Sequence, residues 1–93
     1  MWFKRRQQQT ANRVTCPCCG FLTLRERGFY ELCPVCFWED DGQDNADADV
    51  VRMGPNGTIS LSDARRNYAE FRASQRPFVS KVRPPTVQER TPL

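Results

Sequence analysis

Cys16-Pro17-Cys18-Cys19-Gly20 and Cys33-Pro34-Val35-Cys36 carry the clearest chemistry in this chain. Each is a C-P-x-C knuckle, and thirteen residues separate Cys19 from Cys33. One C-x-x-C turn aims two thiolates at a point, and two such turns supply the four soft ligands of a tetrahedral ion. Proline narrows the conformations of each loop, and Gly20 allows the left-handed turn that lets backbone N–H groups face the sulfurs. The expected site is one structural Zn2+ held by Cys16, Cys19, Cys33 and Cys36. C-P-C-C also permits ligation through Cys16 and Cys18. The match between the two C-x-x-C pairs favours Cys19 and leaves Cys18 a free thiol. Thiolate-rich tetrahedral sites accept iron as well as zinc.

Other reactive groups are sparse. The chain has no histidine, which removes the commonest general base, the Cys–His and Ser–His–Asp arrangements and the His-containing catalytic zinc sites. A shell of four cysteines is closed and keeps no position for water. Catalysis is therefore not expected. What remains is a run of carboxylates after the second knuckle, Glu39, Asp40, Asp41, Asp44, Asp47 and Asp49. A pair of them can in principle hold magnesium or act as acid and base. The run admits three other readings: it docks onto Arg65, Arg66 and Arg72, it forms a contact surface for a basic protein partner, or it binds calcium. Calcium is the weakest of these, because the EF-hand order of ligands, its glycine and its closing glutamate are missing. Nucleic acid is the rival partner. Arg25, Arg27, Phe29 and Tyr30, helped by Lys4, Arg5 and Arg6, offer basic groups beside aromatics, whereas Glu26, Glu31 and the six acids repel phosphate.

The elements that must position these groups belong to one small domain of 93 residues with a formal charge of +3. A core this small needs a staple, and a structural zinc contributes on the order of 10–16 kcal/mol in zinc-finger peptides. Residues 1–13 read as a flexible basic arm, 14–80 as the metal domain and 81–93 as a proline-rich, partly disordered tail. Charge is uneven along the chain, about −6 over residues 37–51 against +4 over 1–15, which suggests opposed faces rather than a general polyanion binder. The cysteines are odd in number and crowded, and neither a secretory nor a membrane-spanning pattern precedes them. That points to a reducing, cytoplasmic compartment.

Between the knuckles, Phe21-Leu22-Thr23-Leu24 and Phe29-Tyr30-Glu31-Leu32 read as a β-hairpin about the Arg25–Gly28 turn, its apolar side chains covering the metal. Val50-Val51-Arg52-Met53 reads as a short strand and Pro55-Asn56-Gly57 as a turn. A helix follows. Ser60 and Asp63 fit a capping box, and Leu61, Ala64, Tyr68 and Phe71 share one face that is expected to pack on the hairpin through Phe37 and Trp38. The fold class is thus a small α+β metal-stabilised domain, a zinc ribbon with one packed amphipathic helix.

With these motifs placed, the chain resembles the cysteine-rich CPCC family of small bacterial proteins. The likeness runs from about Cys16 to about Pro85. It rests on C-P-C-C-G, on C-P-V-C-F-W-E-D-D-G-Q-D, on the P-N-G turn and on the A-R-R-N-Y helix. It implies metal binding. Some members carry a hydrolase label, and others look like parts of toxin–immunity or accessory loci. Residues and resemblance together lead to a non-catalytic interaction module whose acidic loop 39–49 meets a basic partner, in the form of an immunity or inhibitor protein. A nucleic-acid-binding ribbon and a carboxylate hydrolase are the alternatives.

Overall fold

In the computed structural model, which describes residues 12–90, each C-P-x-C turn reverses the chain and brings its own flanks together. Strand β1 (Val14–Thr15) enters the first knuckle and β2 (Leu22–Leu24) leaves it. They pair antiparallel, with Val14 opposite Leu24 and Thr15 opposite Leu22. The second knuckle is flanked by a single bridge, Leu32 to Glu39, continued by Tyr30 N–H to Asp40 O at 2.8 Å and Asp40 N–H to Glu31 O at 3.0 Å. The expected hairpin of 21–24 against 29–32 does not form. Both edges of β2 are already taken, one by β1 and the other by Glu89, whose carbonyl accepts from Leu22 N–H at 2.7 Å. Phe29 and Tyr30 therefore do not cover the cysteine cluster and are 70% and 58% exposed.

The two knuckles are backbone copies of each other. Cys16 N–H donates to Phe21 O at 2.9 Å and Cys33 N–H to Trp38 O at 3.0 Å. Gly20 N–H returns to Cys16 O at 2.9 Å and Phe37 N–H to Cys33 O at 2.8 Å. In both, the residue after the second cysteine is left-handed, φ +84° at Gly20 and +68° at Phe37. Glycine adopts this freely, but a residue with a Cβ gives up roughly 1–2 kcal/mol. Phe37 offsets the strain by packing on Phe78, ring centroids 4.8 Å apart.

The acidic run is a tight loop containing a 3-10 turn, Asn45–Asp47, capped by Asp44. The expected strand at Val50–Met53 is not formed. Its backbone is engaged locally instead: Val50 N–H donates to Asp47 O, and the Gln43 side-chain amide donates to Val50 O. The Pro55-Asn56-Gly57 turn is present, closed by Gly57 N–H to Gly54 O at 3.0 Å. Asn56 is buried there, and its amide bonds both Glu39 N–H and Glu39 O, standing in for a neighbouring strand.

Helix α1 (Leu61–Phe71) starts as expected at Ser60, with the reciprocal capping box to Asp63. Leu61 and Ala64 are fully buried in one cluster with Leu24, Val35, Trp38 and the cysteines. Tyr68 meets Phe21 edge-on, and Phe71 lies under the Arg76 guanidinium. The helix ends at Arg72, left-handed at φ +67°, whose N–H caps Tyr68 O. Ser74 N–H then fastens the exit to Cys36 O at 2.7 Å. After a 3-10 segment, Arg76–Lys81, the chain returns across both knuckles. Arg83 N–H reaches Pro34 O, Glu89 O takes Leu22 N–H, and an Arg83–Glu89 fork of two 2.8 Å bonds closes the return. Through Arg90, then, the stretch read as a tail lies against the domain. Most of the expected basic arm, residues 1–11, and residues 91–93 lie outside the described residues.

Candidate metal centre

The Sγ atoms of Cys16, Cys19, Cys33 and Cys36 all lie within 4.8 Å of one another. Cys16 to Cys36 is 3.7 Å and Cys19 to Cys33 is 3.8 Å, each contact crossing from one knuckle to the other. A tetrahedron with metal–sulfur bonds of about 2.3 Å has sulfur–sulfur edges of about 3.8 Å. Disulfide-bonded sulfurs would stand about 2.05 Å apart. The donor set therefore fits a tetrahedral thiophilic ion and can hold one. Cys16, Cys33 and Cys36 are fully buried, while Cys19 keeps part of its surface. Cys18 stands outside this group. It occupies in the first knuckle the place that Val35 occupies in the second, and both side chains are buried.

Four thiols this close compete for the same protons. Hydrogen bonding with Cys16 and the other cysteines, added to burial, pushes Cys36 up. Cys16 also raises Cys19. Cys33 is driven down, because it accepts from Cys16, Cys19 and Cys36 and also from Thr23. A divalent cation resolves the competition by stabilising all four thiolates together. Thr23 reaches Cys33 through an irregularity in the sheet. Between the Thr15–Leu22 and Val14–Leu24 pairs it is the unpaired extra residue of a bulge. Its hydroxyl lies 3.1 Å from Cys33 Sγ, and Val35 N–H is 3.4 Å from the same sulfur. Such outer contacts orient a ligand and tune its basicity. Plain alternation along β2 gave no sign of Thr23, since a bulge is invisible to a period of two.

The acidic residues divide into two sets. Asp40 is fully buried and accepts from Arg27 Nε at 2.8 Å, Gly28 N–H at 2.7 Å and Gly42 N–H at 3.2 Å. Asp41, also buried, caps Gln43 N–H at 3.0 Å. These two face inward and are removed from any surface offered to a partner. Asp44 and Asp49 are exposed, and Glu39 and Asp47 partly so. The Arg27 guanidinium holds the Asp44 carboxyl below its usual range, and the Asp44 N–H does the same for Asp47, helped by Arg52. Intramolecular docking of the loop thus occurs, largely on arginines other than those expected. Arg27 and Arg52 do most of it, joined by Arg65, which also donates to Pro17 O at 2.8 Å. Arg66 pairs with Asp63, and Arg72 lies over the Tyr68 ring.

The basic and aromatic groups of a nucleic-acid reading are scattered by the same contacts. Arg27 is tied to Asp40 and Asp44, and Arg25 stands 3.5 Å from Glu31. Lys4, Arg5 and Arg6 lie outside the described residues. Among the described residues no helix is long and apolar enough to cross a membrane.

A two-stranded sheet, one α-helix and a largely buried cluster of four thiols compatible with a metal ion define a small cysteine-rich domain. The family described as cysteine-rich CPCC matches residues 14–89, and the chain belongs to that family. Comparisons with curated proteins and with solved structures find no match.

Proposed function

We propose that the chain is a non-catalytic, zinc-stabilised interaction module of zinc-ribbon type that meets a basic protein partner with the face around loop 39–49. One observation carries this reading. Tyr30 and Met53 are 58% and 70% exposed, and both are held left-handed, at φ +60° and +59°. Glycine would serve either position at lower cost, about 1–2 kcal/mol less strained. Strained backbone that displays large apolar side chains is a mark of function. Both residues sit beside the acidic loop: Tyr30 N–H bonds Asp40 O, and Arg52, next to Met53, bonds Asp41 O and Asp47. With Asp40 and Asp41 buried, Glu39, Asp44, Asp47 and Asp49 remain on the outer side of the loop against the guanidiniums of Arg27, Arg52 and Arg65, so this side of the loop keeps a small negative excess. Aromatic anchors within a charged rim are the usual anatomy of a binding hot spot.

Zinc is preferred to iron because four-cysteine ribbons most often hold it. A closed thiolate shell and an Asp40 consumed by N–H donors favour a structural site over hydrolysis. An immunity or inhibitor role against a toxin with a basic cleft is one form of this reading, resting on the loop's charge and on the family resemblance. The test replaces Tyr30 and Met53 together by glycine, which suits their backbone. Zinc content by native mass spectrometry should stay at one and thermal stability should hold or rise. Affinity for the partner that co-purifies from the native host should fall at least about tenfold. Unchanged affinity would refute the proposed face, and co-purifying nucleic acid would replace it.

A further inference from the structure

A second surface lies where the returning chain crosses the metal domain. Between the first knuckle, α1 and residues 82–85 is a cleft of about 380 Å³, within the size range of small-ligand and short-peptide sites. Phe21, Val35 and Tyr68 form part of its lining, and Arg72, Arg83 and Arg90 lie around them. The three arginines are not equivalent. Arg83 is neutralised by its fork to Glu89. Among the described residues, neither Arg72 nor Arg90 is paired with a carboxylate. Arg72 is positioned by its guanidinium, 5.6 Å from the Tyr68 ring centroid, and by its own left-handed backbone.

We propose that this cleft binds a short peptide segment of a protein partner that presents an aliphatic side chain next to a carboxylate. The aliphatic group enters against Phe21, Val35 and Tyr68, and the carboxylate meets Arg72 and Arg90. Guanidinium groups suit this role because they offer a planar fork of donors to a carboxylate. A nucleotide fits less well. One face of Tyr68 already carries Arg72, and the ring is edge-on to Phe21 at 6.4 Å. The lining is therefore ring edges, valine and two prolines rather than an open stacking platform. The site also depends on the return of the chain, since Val82–Pro85 and Arg90 supply one wall. Glu89 is thus a positioning residue for it, acting through Arg83.

The experiment is an amide chemical-shift titration of the full, zinc-loaded chain with capped Glu-Leu and Asp-Leu peptides. Gln-Leu and Glu-Ser serve as controls, and an oligothymidylate as competitor. The acidic aliphatic peptides should move the amides of Phe21, Tyr68, Arg72 and Arg90 in one saturable process. Gln-Leu and Glu-Ser should each bind about fivefold more weakly, the size of a partly exposed ion pair or a small apolar contact. Arg72→Gly, which suits the left-handed backbone, and Arg90→Gln should each produce the same loss with zinc content unchanged. Glu89→Gln should weaken every peptide alike. Equal binding of Glu-Leu and Gln-Leu, no saturable shift at these amides, or tighter binding of the oligothymidylate there would each overturn the proposal. The acidic-loop face is not involved, so the glycine substitutions at Tyr30 and Met53 should leave this titration unchanged.

Discussion

Gly20 and Phe37 hold the same left-handed place in the two knuckles, one without strain and one with its strain offset by Phe78. An added Cβ at Gly20 meets nothing within 4 Å, so the cost of Gly20→Ala is backbone alone. The expected result is a loss of about 1–2 kcal/mol of stability with one metal still bound, read by denaturant melts of the loaded protein. The same correspondence separates the two adjacent cysteines. Cys18→Val copies what Val35 already does in the second knuckle, and metal stoichiometry should remain one. Cys19→Val removes a thiolate that lies 3.8 Å from Cys33 and should abolish stable binding, both outcomes read by metal analysis. At this scale the sequence was readable because a C-P-x-C turn is local: its spacing contains the geometry, and Gly20 marks the left-handed exit of the first knuckle, which Phe37 conceals in the second. Thr23 and Arg27 were not readable in their roles. One depends on a bulge, and the other on two loops that meet at Gly28 and Gly42, both left-handed at φ +79° and +92°, across thirteen residues from Arg27 to Asp40.

Among the elements, α1 was readable at its start and along its stripe, but not in its left-handed end at Arg72 or in the packing of Phe37, which lies on Phe78 rather than under the helix. Its cap, its stripe and its buried face are all encoded within a few residues of one another. Ser60→Ala should cost about 1 kcal/mol, with the usual range of about 0.5–2 kcal/mol, measured as a shift in the unfolding midpoint. The acidic loop was readable as charge but not as structure. Six carboxylates between Glu39 and Asp49 give no sign of which is buried, yet Asp40 is at the bottom of a nest of donors, with Arg27 only 30% exposed above it. Arg27→Ala leaves that carboxylate buried and unpaired, and removing one partner of such a pair typically costs about 3–5 kcal/mol. A loss below about 1 kcal/mol would mean that Asp40 is wetter than its surroundings imply. The inter-knuckle hairpin was misread because strand propensity does not say which edge is free. Glu89, far along the chain, had already taken the one that 29–32 would need.

For the whole molecule, the two knuckles are joined twice, once by the four thiols and once by the return of residues 82–90. Treating the zinc-loaded protein with a chelator should unfold the knuckles, seen as loss of the Trp38 environment by fluorescence, because a site that forms only in the folded chain couples metal binding to folding. Acid acts on the return and on the acidic loop. Arg83 holds the Glu89 carboxyl below its ordinary value of 4.5, and Arg27 holds Asp44 below 3.8. A depressed carboxylate contributes its full stability above the ordinary value and loses it as pH falls through the depressed one. Protonation of the thiolates adds to the same trend. The melting temperature should stay level from neutral pH down to the ordinary carboxylate range and then fall, whereas Glu89→Gln should lower the plateau itself. The return has one more consequence, which concerns the order of synthesis. Both knuckles emerge from the ribosome well before Glu89 does, so the ion can be captured by a nascent chain. Until residues 82–90 arrive, Leu22 N–H has no partner and one edge of β2 stays open to whatever strand lies nearby.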